Sequence, residues 1–142
     1  MAIVIDADEY SPVKRVRTIV DSLRSFGIEV GVTEAGEGAF RFQSENIRVE
    51  VFVKVVGDPD LPYNKHTIDD HIVRLLLLEN QIGEKEVERY STAKECVNEF
   101  TKSRGVAVKE LILNAKPENV QKAFKNLVEY LETVKIQRHT NL

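Results

Sequence analysis

The chain opens on Ala2-Ile3-Val4-Ile5, an apolar and mostly β-branched run that passes directly into Asp6-Ala7-Asp8-Glu9. Four consecutive apolar residues read as a strand buried on both faces, and open α/β sheets gather their ligands at the carboxyl ends of such strands. The expectation is a central strand with Asp6 and Asp8 at the polar edge of the sheet. Residues two apart in a strand share a side, so both carboxylates are expected to face one point. Converging carboxylates repel each other unless a cation or a basic side chain compensates. Mg²⁺, which takes one or two carboxylates and completes its shell with water and phosphate oxygens, is the economical partner. The plainer alternative is that Asp6 and Asp8 end the strand and cap the next helix.

Ser11-Pro12 places a cap residue before a proline at the first helical position. Val13, Val16, Ile19, Val20, Leu23 and Phe26 then form one apolar stripe that ends at Gly27. A second strand over Ile28–Val32 completes a β-α-β opening, expected to be parallel with a right-handed crossover. Ala35-Gly36-Glu37-Gly38 is a turn. It lacks the lysine and hydroxyl of a phosphate loop and precedes a strand where a helix would be needed. Phe40–Phe42 and Ile47–Val55, joined by Ser44-Glu45-Asn46, read as a hairpin. Its second arm puts Ile47, Val49, Val51, Val53 and Val55 on one face and Arg48, Glu50 and Lys54 on the other.

Residues Gly57 to His66 have no periodicity and many turn formers, as functional loops at strand ends often do. Thr67-Ile68-Asp69-Asp70 resembles a capping box with aspartate for glutamate, opening a mostly buried helix through Leu78. Thr92-x-x-Glu95 starts another helix that ends before Gly105, and Val108, Leu111 and Ile112 mark a short strand or helix. Pro117 opens the last helix, with a stripe of Val120, Phe124, Leu127, Val128, Leu131 and Val134, and Gln137–Leu142 reads as a frayed tail.

The fold class expected is therefore α/β: a single domain over residues 1–142, with a central mixed β-sheet, a β-α-β opening and helices on its faces. A net charge of −3 exerts no global pull toward nucleic acid or anionic membrane, so any such binding has to be local. A single cysteine, no cationic-apolar leader and no apolar run of bilayer length point to a cytoplasmic protein with no membrane partner. Cys96 falls on a helical pattern with Ala93, Val97 and Phe100 and is expected in a core.

Asp69 and Asp70 are candidates to join the cation site if the long loop returns to the same sheet edge. Acidic residues in a first helical turn are also favoured by the macrodipole alone. Lys14, Arg15 and Arg17, with Arg24, form a basic helix face that starts beside the acidic pair and is a candidate for nucleic-acid phosphates, although such faces are commonly just solvated. Asp58-Pro59-Asp60 reads as a surface turn. The spacing of His66 and His71 does not put two metal ligands on one helix face, so no zinc site is expected.

Ile3-Val4-Ile5-Asp6-Ala7-Asp8-Glu9, the basic amphipathic helix and Gly27-Ile28-Glu29-Val30 together resemble the Asp-x-Asp half of a TOPRIM-like domain. The resemblance is to TOPRIM-like proteins related to the nuclease domain of the overcoming-lysogenization-defect family. It extends through Val51–Val56, the loop to His66 and Ile68-Asp69-Asp70, over about half the chain or more on short motifs. It implies a Mg²⁺-dependent nuclease or phosphoryl-transfer fold acting on nucleic acid, with Asp6 and Asp8 as metal ligands. Two departures accompany it. TOPRIM enzymes carry a catalytic glutamate on a strand upstream of the pair, where this chain has only Met1–Ile5, and the family favours glutamate where this chain has Asp69. The expectation is a catalytically degenerate domain, unless Glu9, Glu34 or a protein partner supplies the missing group; a non-catalytic regulatory or protein-interaction domain is the alternative. Haloacid-dehalogenase-like phosphatases also use Asp-x-Asp, but Tyr10 stands where they carry threonine or valine.

Overall fold

The structure is a computed structural model that describes residues 1–140, and the side chains of all of these except Asn126 and residues 137–140. The strands are β1 (Ala2–Asp6), β2 (Gly31–Gly36), β3 (Ala39–Ser44) and β4 (Val49–Val56). The helices are α1 (Pro12–Ser25), α2 (Asp69–Leu78), α3 (Glu84–Val87), α4 (Ala93–Arg104), α5 (Val108–Asn114), α6 (Pro117–Ala123) and α7 (Lys125–Thr140). The chain is thus α/β with a four-stranded mixed sheet. Two compact units form: Met1–Val56 with the chain from Asn126 onward, and Gly57–Lys125. No helix among the described residues is long and apolar enough to cross a membrane.

The first unit holds the sheet, in the order β1-β4-β3-β2. β1 runs parallel to β4, with Ile3 opposite Val53 and Ile5 opposite Val55, while β3 is antiparallel to both β4 and β2. Two expectations are corrected here. β1 is an edge strand with Ile3 37 % and Val4 43 % exposed, because an apolar run reports side-chain character and not the number of neighbouring strands. β1 and β2 do point the same way, yet α1 carries the chain across to the far edge, so the parallel neighbour of β1 is β4.

α1 starts as its sequence dictates, with the Ser11 side chain accepting the Lys14 N–H and Pro12 in the first turn. Val16 and Val20 of α1 pack with Ala7, Phe40, Phe42, Val53 and Val55 on one face of the sheet. The two ends of the expected stripe, Val13 and Phe26, are 55 % and 80 % exposed. The backbone has already left helical geometry at Phe26, which removes it from the 3.6-residue spacing. On the opposite face Tyr130 and Val134 of α7 pack with Ala39 and Phe52.

β2 begins three residues later than expected, and Glu37-Gly38 closes a tight β2–β3 hairpin in which Gly38 has φ +63°. A β carbon at Gly38 would lie 3.1 Å from the Val55 carbonyl and 3.2 Å from Lys54 Nζ, so only glycine lets the turn sit this close. Lys54, on the face expected to be polar, is nonetheless only 3 % exposed and donates to the Glu37 carbonyl.

The second unit is helical around Leu61, Tyr63, Val73, Leu76, Val87 and Cys96, so the aperiodic loop contributes two core residues of its own. Cys96 is buried as expected. Thr92 caps α4 by accepting the Glu95 N–H, and Gly105 ends it in the left-handed conformation. Residues 108–114 are a helix, which settles the short element. The expected last helix is two: Phe124, at φ −111° and ψ 18°, separates α6 from α7. Of the expected stripe, Phe124 packs in the core of the second unit and Leu127 and Val134 in that of the first, whereas Leu131 is 52 % exposed. The expected frayed tail is helical through Thr140, and Asn141-Leu142 lie outside the described residues.

Candidate site at the end of the first strand

β1 delivers Asp6 as its last residue, opposite Val56 of β4. Ala7 follows, buried against the α1 face, with its N–H donating to the Val56 carbonyl. At Asp8 the backbone turns into the left-handed region, φ +55°, which aspartate tolerates better than most residues. The strand alternation that would aim residues 6 and 8 alike therefore stops at this turn. The Asp8 carboxylate meets a guanidinium instead: Arg15 Nη2 lies 3.2 Å from Oδ2, and the two side chains are 29 % and 39 % exposed. Arg15 Nε is buried and has no hydrogen-bond partner among the described residues.

The basic helix face divides three ways. Arg15 turns to Asp8, Lys14 Nζ sits 4.9 Å above the Tyr10 ring, and Arg17 lines a groove between α1 and β2 together with Asp21, Arg24 and Glu34. A run of basic residues on one helix gave no means of separating these roles, since each distance depends on what lies beyond the helix.

Asp69 and Asp70 belong to the second unit, in the first turn of α2. The expected capping box forms only in part: the Asp70 carboxylate accepts the Thr67 N–H, but Thr67 Oγ1 accepts the Asp69 N–H at 3.3 Å and not that of Asp70, whose N–H goes to the Thr67 carbonyl, and Ile68 caps α2 with no side-chain hydrogen bond. Asp70 goes further than a cap. It is fully buried, and its Oδ2 accepts the Asp58 N–H at 2.8 Å and a hydrogen bond from His66 Nδ1 at 2.9 Å. Oδ1 has no partner among the described residues. Burial drives the Asp70 pKa up, against the lowering effect of the Asp58 and His66 hydrogen bonds.

Arg74 Nε closes the network on Asp58 Oδ2 at 2.7 Å, which pushes the guanidinium pKa up; the expected exposed turn at Pro59-Asp60 forms, with Asp58 Oδ1 accepting the Asp60 N–H at 3.0 Å, and Asp58 adds a tether to it. His71 donates from Nδ1 to the Ala123 carbonyl and accepts the Gly57 N–H at Nε2, which leaves neither ring nitrogen for a metal. None of the Asp8–Arg15, Asp58–Arg74 and Asp70–His66 contacts was anticipated from sequence, although for His66 and Asp70 a separation of four residues was a usable signal. Among the described residues, no group of three or more His, Cys, Asp or Glu side chains is arranged to hold a metal ion.

Comparison with models of known protein families, with curated proteins and with solved structures finds no match to this chain.

Proposed function

We propose that the chain is a TOPRIM-like protein in which Asp6 and Asp8 take one Mg²⁺ and, with Arg15, engage a phosphate of nucleic acid. The observation that carries this reading is the Asp8–Arg15 pair, 3.2 Å apart at the carboxyl end of β1, which brings a metal-compatible oxygen and a phosphate-compatible guanidinium to one point. Mg²⁺ commonly takes one or two protein carboxylates and completes its shell with substrate and water oxygens, which is the mode proposed for Asp6 and Asp8. When bound, the ion supplies charge neutralisation at the phosphate. Arg15 then exchanges its Asp8 partner for phosphate oxygens, and Lys14 stands one residue away on the same helix turn. No acid or base is assigned, so the reading is one of binding without cleavage.

Titration calorimetry with Mg²⁺ and Mn²⁺, followed by retention of single- and double-stranded DNA and RNA, tests it. Cation binding is expected in the unaltered chain and lost in both Asp6→Asn and Asp8→Asn, with nucleic-acid retention dependent on the cation. Equal cation affinity in the unaltered and Asp6→Asn proteins sinks the proposal. A second reading, a non-catalytic regulatory or protein-interaction domain, is favoured by the neutralisation of Asp8 within the chain itself, and it expects neither cation nor nucleic acid to bind.

A further inference from the structure

A four-stranded sheet at about 4.8 Å per strand is roughly 14 Å across, whereas one helix is about 10 Å wide and covers some two strands. α1 packs over β4. The half of that sheet face toward β2 is left as a groove, floored by Val13, Val16, Val20, Val32 and Phe40. Its walls are charged: Arg17, Asp21 and Arg24 from α1 on one side, Glu34 from β2 on the other. Arg17 and Glu34 are both exposed, and neither forms an ion pair among the described residues.

We infer that this groove is the interface of a homodimer, in which the Arg17 wall of each copy meets the Glu34 wall of the other. Charge complementarity selects the occupant. A two-fold axis along the groove turns the α1 wall of one copy onto the β2 wall of its partner, so that both unpaired charges are matched twice. The contact is through the groove and not by strand addition, because β2 is guarded as an edge: it carries Glu34, glycines at both ends and a register shift between Glu34 and Gly36. Phe26 does not line the groove, but it is 80 % exposed two residues after the groove residue Arg24, and the dimer contact extends over its ring. This inference assigns Arg17 to protein contact and is independent of any cation at Asp6 and Asp8.

Sedimentation velocity on the full chain over a range of concentrations tests it. A reversible dimer is expected. Arg17→Glu and Glu34→Arg are each expected to weaken it at least about tenfold, since each sets like charges opposite each other twice. An equimolar mixture of the two variants is expected to recover the dimer, because the heterodimer restores both opposite-charge contacts. Phe26→Ser is expected to weaken the dimer as well. All three positions are exposed, and unchanged circular dichroism would show that the fold persists. A monomer at every concentration overturns the inference, as does a dimer indifferent to both charge reversals or a mixture no more dimeric than its components.

Discussion

Arg15, in the first turn of α1, reaches back to Asp8, placing Nη2 3.2 Å from Oδ2 across the left-handed turn that ends β1. Both partners are about a third exposed, so solvent screens the pair and its contribution to stability should be about 0–1 kcal/mol. Asp8→Asn is therefore expected to cost little, since asparagine also accepts positive φ. Asp8→Val should cost about 1–3 kcal/mol more, because a β-branched residue is strained at φ +55°. Urea unfolding of the two variants checks this, and equal losses would show that the backbone at residue 8 is not what constrains it.

Gly57 and His66 bracket the loop that leads into α2. At φ +136° Gly57 occupies backbone space that side-chain-bearing residues avoid, and a β carbon there would lie 2.6 Å from His66 Cβ and 3.0 Å from its carbonyl carbon. Gly57→Ala is expected to destabilise the chain by about 1–3 kcal/mol or more, since backbone strain and a steric clash add. Thermal unfolding reads the effect. A melting temperature within a degree or so of the unaltered protein would mean that the loop relaxes freely.

The helices were legible because their determinants are local. Ser11-Pro12, the Thr92–Glu95 cap, Gly105 and the 3.6-residue spacing of Val16, Ile19, Val20 and Leu23 all act within a few residues of one another. The position of β1 was not legible, because pairing with β4 joins residues some fifty apart and no local pattern states which strand ends beside which. The break at Phe124 was hidden by an unbroken apolar stripe whose two halves pack in different cores. At the candidate site, the aspartates were visible as residue types. What they touch was legible only in the four-residue spacing of His66 and Asp70; Arg15 at Asp8 depends on rotamers, and the Asp58 N–H at Asp70 depends on a loop whose course no periodicity encodes.

Tyr130 ties α7 to the sheet through one hydroxyl, which donates to the Phe52 carbonyl at 2.8 Å and lies 3.3 Å from the Ile3 carbonyl, while burial drives the phenol pKa up. Tyr130→Phe keeps the ring packing and removes only the hydroxyl, so a loss of about 1 kcal/mol is expected. Hydrogen exchange should quicken at the β1–β4 pairing before it does elsewhere in the sheet. Uniform acceleration across all four strands would deny the hydroxyl a local role.

Asp70 sets a pH dependence whose sign follows from its burial. Desolvation outweighs the hydrogen bonds from Asp58 and His66 and raises the carboxyl above its ordinary value of 3.8, so the folded chain holds this proton more tightly than the unfolded chain does. The stabilising contribution is fully present below the unfolded value and is lost as pH rises through the higher folded one. Asp70→Asn cannot ionise. Its amide oxygen can still accept the Asp58 N–H, whereas Asp70→Ala strands that buried donor and should cost about 1–3 kcal/mol at any pH. The difference in unfolding free energy, unaltered minus Asp70→Asn, is therefore expected to fall as pH climbs from below 3.8 toward neutrality. Urea denaturation at a series of pH values measures it directly. A difference that grows with pH would mean that the His66 and Asp58 hydrogen bonds outweigh desolvation and that the buried carboxylate is stabilised as an ion.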